Sequence, residues 1–389
     1  MAADGFGKPV AEPAGVPLDD DELASWLRLT GAVGIGPSTC RVLLAAFGLP
    51  DAIFSATRAQ LTRVVSPSLV DALRAAPTSD HEERVARTRA WMREAGNHIV
   101  TLADMRYPTA LLETADPPPM LYVKGRVSLL AGSALAIVGS RNATPQGAID
   151  ARRFAASLAA AGYTVVSGLA LGIDAAAHEG ALAAGTDGGS TVAVIGTGAD
   201  IVYPSSNRAL AHRIAESGAI VSELPLGTTA SAHQFPRRNR IIAGLSRGVL
   251  VLEAAARSGS LITARLAAEC GREVFAVPGS IHSPLSKGCH QLIRQGAKLV
   301  ESVADILDEL QGADAQQPVR VAHTADERPP TEMDEEPLVS LLGFDPVSAD
   351  DLAQRSGLSP TQLAAALLDL ELAGRITRLP GGRVQRRVG

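Results

Sequence analysis

From about residue 134 onward, short β-branched apolar runs alternate with Ala-rich runs of helical length. The strand candidates are Leu135–Val138, Thr164–Ser167, Val192–Ile195, Ala219–Glu223, Val249–Leu252, Val274–Val277 and Lys298–Val300. The helix candidates are Gly147–Ala161, Ile173–Ala184, Asn207–Ser217, Asn239–Leu245, Ser260–Cys270, Gly288–Gln295 and Val303–Gln311. Strands that are apolar throughout and alternate with helices are typical of a parallel sheet covered on both faces. This pattern predicts an α/β fold with a Rossmann-like, mostly parallel sheet.

Composition divides the rest of the chain into flanking units. We expect residues 1–18 to be a disordered tail, because they are rich in Ala, Gly and Pro. Residues 19–96 carry apolar side chains at helical spacing and predict a small helical domain of the SAM or helix-hairpin-helix type. The α/β region is extended to residues 97–311. An acidic, proline-containing linker follows over 312–337, and 338–389 have the outline of a winged helix, with three helices and a hairpin.

Charge and cysteine content exclude several classes of protein. The formal net charge is −5, so a nucleic-acid site must be a local basic patch. The three cysteines form no CxxC pair, which supports neither a zinc ribbon nor a disulfide framework. We see no signal peptide and no apolar run long enough to span a membrane. The sequence therefore predicts a cytoplasmic protein without a metal site.

Loops rich in Gly, Ser and Thr follow most of the predicted strands. In an open parallel sheet these loops meet at one edge, where ligands bind, and the helices they lead into favour anions at their N-termini. For any single loop the alternative is a tight strand-to-helix turn. The sequence contains neither GxGxxG nor GxxxxGK[ST], so no NAD, ATP or other cofactor is predicted.

The segment from His233 to Arg240 combines three arginines with a phenylalanine in a chain with only 3% aromatic residues. Arginine binds phosphate through two hydrogen bonds, and an aromatic ring lets a base stack on it, as single-strand binding requires. The alternative is a solvated cap on the helix Asn239–Leu245 with Phe235 in the core. Arg141, Arg257 and Lys287 lie on other loops of the same predicted edge and favour phosphate binding.

Other polar residues give weaker signals. Asp174 and His178 have the spacing of an acid–base pair, but we favour a helix N-cap for Asp174 and local packing for His178. The turn Val33–Pro37 resembles a helix-hairpin-helix turn that could hold a phosphate, with a purely structural role as the alternative. Pro360–Ala373 is the expected recognition helix of the winged unit. It has no Lys or Arg, which favours contact with a protein, although arginines of the predicted wing keep phosphate contact open.

Several runs between about residues 134 and 301 occur in the order and at the spacing of a known family. They are AIVGSRNATPQG, SGLALGIDAAAHEGAL, VAVIGTGADIVYP, SELPLG, the long run FPRRNRIIAGLSRGVLVLEAAARSGSLITARLAAECGREVFAVPGS, and LIRQGAKLV. On these residues the chain resembles the DNA processing protein A (DprA, also called Smf) family. The resemblance implies a protein without catalysis that binds and protects single-stranded DNA, helps load RecA onto it during natural transformation or recombination, and forms a homodimer.

The resemblance also implies which residues contact DNA. They lie in the GSR loop, the FPxRNR run and the SGSLIT loop, with one lysine beyond: Gly139, Ser140, Arg141, Phe235, Arg237, Arg238, Asn239, Arg240, Ser258, Gly259, Ser260, Thr263 and Lys287.

Two other functions stay open from the residues alone. Glu253 followed by Ser258–Ser260 loosely resembles the site of Rossmann-type nucleotide phosphoribohydrolases, which would make the chain an enzyme acting on a nucleoside monophosphate. The third possibility is a module that binds a partner protein and uses the α/β core as a scaffold.

Overall fold

The computed structural model describes residues 18–185, 189–313, 337–342, 346–379 and 381–387. Its strands are β1 (Asn97–Thr101), β2 (Met120–Gly125), β3 (Ala134–Gly139), β4 (Thr164–Ser167), β5 (Thr191–Val194), β6 (Ala219–Ser222), β7 (Gly248–Leu252), β8 (Glu273–Ala276), β9 (Lys298–Leu299), β10 (Val347–Ser348), β11 (Ile376–Leu379) and β12 (Arg383–Arg386).

The α-helices that precede or pack on the large sheet are α1 (Asp20–Gly31), α2 (Pro37–Phe47), α3 (Pro50–Ser55), α4 (Arg58–Leu61), α5 (Pro67–Arg74), α6 (Ser79–Met92), α7 (Thr109–Leu112), α8 (Pro145–Ala160), α9 (Ile173–Ala183), α10 (Arg208–Ser217), α11 (Gln234–Leu245), α12 (Ser260–Glu269), α13 (Lys287–Arg294) and α14 (Val303–Ala313). The C-terminal unit contains α15 (Pro337–Leu342), α16 (Ala349–Ser356) and α17 (Pro360–Leu372). Short 3₁₀ helices lie at Val127–Leu130, Ser205–Asn207 and Pro284–Ser286.

The large sheet has the strand order β1-β2-β6-β5-β4-β3-β7-β8-β9. All neighbours from β6 to β9 are parallel, while β2 pairs antiparallel with both β1 and β6. The prediction of a mostly parallel α/β sheet is confirmed, and the predicted parallel strands agree with the observed bounds to within one residue. The sequence prediction did not identify β2, because its apolar residues directly follow the Pro-rich stretch Pro117–Pro119.

Alternate residues of the central strand β3 face opposite helical layers. Leu135 and Ile137 pack into an apolar cluster that contains residues of α8, α9 and α14. Ala136 and Val138 point the other way, into a cluster with residues of α11 and α12. A strand in a covered parallel sheet is buried on both faces, and β3 is therefore apolar at successive positions.

The N-terminal helices form a core of their own and also share one with the sheet. Cys40, Leu43 and Ile53 are buried within the helical unit. Trp26 packs instead into a cluster that includes Tyr122 of β2. The boundary proposed near residue 96 therefore does not separate two independent apolar cores.

The C-terminal unit has three helices around a three-stranded antiparallel sheet of order β10-β12-β11. Leu352, Leu363 and Val384 are among its buried residues. This is a winged-helix arrangement, as predicted, with the additional short strand β10. The predicted tail and most of the predicted acidic linker lie outside the described residues.

Two negative findings hold for the described part of the chain. None of its helices is long and apolar enough to cross a membrane. Within the same residues, no group of three or more His, Cys, Asp or Glu side chains is placed to hold a metal ion.

Candidate functional site

The order of the strands reverses direction at the centre of the sheet. From β3 the chain proceeds through β4, β5 and β6 to one side, and β7, β8 and β9 then extend the sheet from the other side of β3. The loops leaving β3 and β7 therefore diverge, and a crevice forms at the carboxyl ends of these strands, where ligands of open α/β sheets bind. A groove of about 830 Å³ lies here.

Ten of the predicted site residues line this groove: Gly139, Ser140, Arg141, Phe235, Arg238, Asn239, Ser258, Gly259, Ser260 and Thr263. They come from segments that are far apart in the sequence. The remaining three, Arg237, Arg240 and Lys287, are outside its lining.

Arg141 and Phe235 meet across the groove from the β3 loop and from α11. The guanidinium carbon of Arg141 lies 5.7 Å from the centroid of the Phe235 ring. Arg141 is exposed, whereas Phe235 is half-buried. A guanidinium held near an aromatic face keeps its charge and its outward donors available to an anion.

Helix α11 begins five residues earlier than predicted, at Gln234 instead of Asn239. The prediction was wrong because the proline and arginines were interpreted as a loop. Pro236 is compatible with a first turn, where its missing N–H would have no intrahelical acceptor. The consequence is that helical geometry, with about 100° between successive residues, directs the three arginines to different surroundings.

Arg238 is buried, with only 6% of its surface exposed. Its Nη1 donates a hydrogen bond of 2.6 Å to the carbonyl oxygen of Val194 at the end of β5. Burial lowers the pKa of Arg238 to about 10, and the negative charge of Asp174 partly opposes that shift. Arg238 lines the groove with most of its side chain buried, and its DNA contact stays a prediction.

Arg240 is outside the groove lining and is also engaged. It forms ion pairs with Glu223 and, at 3.2 Å, with Asp116, and its side chain is 12% exposed. Burial foremost raises the pKa of Glu223, and Arg240 opposes that effect. These carboxylates already compensate its charge, and its role as a phosphate contact stays a prediction. Arg237 is exposed on the same helix and stays a candidate.

The loop after β7 supplies a second exposed cation and a helix start. Arg257 is exposed, and α12 begins three residues later, at Ser260. Its N-cap residue is Gly259, which has no side chain to cap the helix, and the Ser258 hydroxyl accepts a hydrogen bond of 3.3 Å from the N–H of Ser260. The hydroxyls of Ser258 and Ser260 lie 2.7 Å apart. Helix N-termini carry partial positive charge and exposed N–H groups, so this end suits a phosphate.

Lys287 lies at the start of α13 and is exposed. Its Nζ donates a hydrogen bond to the carbonyl oxygen of Ile281. Leu285 of the same segment lines the groove. Lys287 thus lies two residues after a lining residue but is not itself part of the groove lining.

The structure adds lining residues that the sequence prediction missed. Asn142, Tyr203 and Ser231 all line the groove. Tyr203 lies against Phe235, with ring centroids 5.5 Å apart and an angle of 34° between the planes. It is one of only four tyrosines, in a loop that follows a predicted strand, which is the signal that could have identified it.

Asp174 and His178 are both buried and make structural contacts. Asp174 is not the N-cap of α9, which is Gly172; its Oδ2 accepts hydrogen bonds from the N–H groups of Gly168 and Ala170. Burial raises the pKa of Asp174 and lowers that of His178 to about 3. The neutral imidazole of His178 is fully enclosed, which agrees with the packing role favoured by the sequence.

Glu253 uses its carboxylate to bind the residue that precedes α8. It accepts a hydrogen bond of 2.8 Å from the N–H of Thr144 and another from the Thr144 hydroxyl. A Cβ atom on Gly147 of α8 would overlap the same carboxylate. Glu253 therefore ties the loop after β7 to the start of α8 and is absent from the groove lining.

Comparison with known proteins gives two family matches. The model for DNA recombination-mediator protein A matches residues 98–311, and the model for the DprA winged helix domain matches residues 322–382.

Individual relatives agree with these matches. Protein Smf of Escherichia coli K12 is 43% identical over 303 residues, which are 76% of this chain and 79% of that protein. The X-ray structure of DNA processing protein A from Streptococcus pneumoniae matches with a TM-score of 0.59 and 36% identity, over 76% of this chain and 99% of that chain. DNA processing protein A from Helicobacter pylori, whose structure was described for its single-stranded DNA binding mode, matches with a TM-score of 0.50 and 31% identity. The match covers 56% of this chain and 97% of that chain.

Proposed function

The chain belongs to the DNA recombination-mediator protein A family, and from this premise we propose that it binds single-stranded DNA in the groove at the carboxyl ends of β3 and β7. The observation that carries the proposal is the set of groups around the groove. Two exposed arginines, Arg141 and Arg257, lie at the rim of a groove that also holds aromatic rings and the start of α12.

The charge of the groove favours an anion despite the acidic total. The two buried charges that line it, Asp174 and Arg238, oppose each other. Arg141 and Arg257 remain as its exposed cations. When these arginines neutralise phosphates of a strand, counterions are released, and this raises the affinity of the protein for the strand. The bases could stack on the rings whatever their sequence. Arg237 and Lys287, exposed outside the lining, would extend the basic path.

The wider role that we propose follows from the family. The protein would act in the cytoplasm, protect the bound strand and help load RecA onto it during natural transformation or recombination. We further propose a homodimer, in which two grooves would hold one strand. The family description as a recombination mediator supports this role.

The enzymatic alternative is less well supported by the contacts of Glu253. A nucleotide hydrolase needs a carboxylate within hydrogen-bond reach of the substrate. The Glu253 carboxylate is already bound by Thr144. Our proposal therefore includes no catalytic step.

Fluorescence anisotropy with a labelled oligothymidine, competed by unlabelled single strand, duplex and nucleoside monophosphates, tests the binding proposal. We expect single strand to compete best. We expect the logarithm of the binding constant to fall linearly with the logarithm of the salt concentration. The single variants Arg141→Ala and Arg257→Ala should each make this slope shallower by about 0.7 if each arginine neutralises one phosphate. Arg213→Ala, an exposed arginine on α10, is the matched control and should leave the slope unchanged.

Three further measurements test the absence of catalysis, the homodimer and the RecA-loading role. Free base released from a nucleoside monophosphate, detected by liquid chromatography, would overturn the non-enzymatic function. Sedimentation equilibrium of the full chain should give the mass of a dimer. On a strand covered by single-strand binding protein, purified RecA should form filaments faster when the chain described here is added. An unchanged rate of filament formation would refute the loading role.

A further inference from the structure

Two aromatic rings lie side by side in the groove, and their surroundings differ. Tyr203 and Phe235 both line it, in a chain with only 3% aromatic residues. Half of the surface of Tyr203 is exposed (50%), and a smaller fraction of Phe235 is exposed. Stacking of a base needs an open ring face, so the two rings are not equivalent platforms.

Phe235 is enclosed on several sides. A Cβ atom on Gly196 would lie 2.9 Å from the ring, so the ring packs directly against this backbone. The Arg141 guanidinium lies 5.7 Å from its centroid, and the Tyr203 ring lies at 5.5 Å. Little of the Phe235 face is left for a base, and its contacts instead fix the positions of Arg141 and Tyr203.

The segment that carries Tyr203 is held by hydrogen bonds on both sides of the ring. Before it, the Thr197 hydroxyl donates to the carbonyl oxygen of Ile201 at 2.6 Å. After it, Asn207 Nδ2 donates to the carbonyl oxygens of Leu169, at 2.9 Å, and of Ala170, at 3.2 Å. A ring on a fixed segment loses little conformational freedom when a ligand stacks on it.

We propose that Tyr203 is the residue on which a base of the bound strand stacks, and that Phe235 is a positioning residue that supports Tyr203 and Arg141. This inference rests on the proposed binding of single-stranded DNA. Arg141 beside the rings would neutralise a phosphate of the strand whose base lies on Tyr203. Every base has a π face, so this contact would be tolerant of sequence.

The experiment compares two ligands of equal length and charge, an oligothymidine and its fully abasic counterpart, by fluorescence anisotropy with the full chain. Tyr203→Ala should weaken binding of oligothymidine by about 5- to 140-fold, the range expected for loss of one stacked base. Tyr203→Phe, the matched control, should bind like the wild type because it keeps the ring. Phe235→Leu keeps an apolar support and should lose less than Tyr203→Ala.

The abasic ligand separates stacking from support. The wild type and Tyr203→Ala should bind it equally, because it has no base to stack. An equal loss on both ligands, or unchanged binding of oligothymidine by Tyr203→Ala, would overturn the assignment. Tyr203→Trp provides a second measurement: its added emission should be quenched by oligothymidine and not by the abasic strand, and the reverse would also overturn it. If the wild type does not bind oligothymidine at all, the proposed function itself fails.

Discussion

Replacing Arg238 by methionine should destabilise the α/β core without removing a DNA contact. Arg238 is 6% exposed and Asp174 is 7% exposed, and the charge of each partly compensates the other. Methionine fills similar volume, so the main effect is an uncompensated carboxylate. Breaking a direct buried ion pair costs about 3–5 kcal/mol. Arg238 and Asp174 interact through their charges without a direct ion pair, so the expected loss is smaller.

Two local details also bear on the size of the loss. Asp174 keeps its hydrogen bonds from the N–H groups of Gly168 and Ala170, which still stabilise the charge. Arg238 Nε has no hydrogen-bond partner among the described residues, so the buried guanidinium is itself incompletely satisfied. The variant leaves the carbonyl oxygen of Val194 without its Arg238 donor and should lose about 1–3 kcal/mol of unfolding free energy at neutral pH.

Urea unfolding followed by circular dichroism measures this loss, and the exposed neighbour Arg237→Met is the matched control, expected within about 0.5 kcal/mol of the wild type. The penalty for Arg238→Met should shrink in acid, because a protonated Asp174 has no charge to compensate. Adding Asp174→Asn should recover part of the stability for the same reason. If Arg238→Met unfolds like the wild type but flattens the salt dependence of DNA binding, Arg238 is a phosphate contact and the reasoning is refuted.

Three other outcomes follow from single residues. Burial lowers the pKa of His178 from 6.5 to about 3, so on acidification the unfolded chain binds a proton at this residue before the folded chain does. The contribution of His178 to the unfolding free energy should therefore be complete above pH 6.5 and should fall by about 1.4 kcal/mol per pH unit toward pH 3. Urea unfolding at several pH values should show a smaller slope for His178→Asn. Gly139→Ala would overlap the carbonyl oxygen of Leu252 and should cost about 1–3 kcal/mol, whereas Gly36→Ala, with open space around it, should leave the melting temperature nearly unchanged. Arg240→Met should lower the melting temperature and leave the salt slope of DNA binding as it is, because its ion pairs lie within the protein; a lower slope would contradict this.

The sequence by itself determined the order of strands and helices in the α/β region. Apolar runs such as Thr164–Ser167 are local patterns, and the periods that distinguish a strand from a helix are read within one segment. The same patterns identified the edge on which the Gly- and Ser-rich loops meet. Most of the residues assigned through the family resemblance line the groove at that edge.

Only the tertiary structure decided what each side chain at that edge does. The run from Phe235 to Arg240 reads as one basic loop, but it is helical. Arg238 and Arg240 have separate partners in other segments, whereas Arg237 is exposed. Arg238 meets the carbonyl oxygen of Val194, and Arg240 meets Glu223, only after the sheet has formed. Ion pairs and ring contacts depend on distances between segments that the local sequence does not encode. The sequence therefore predicts an anion site, and the fold decides which of the cations and rings at that edge are exposed.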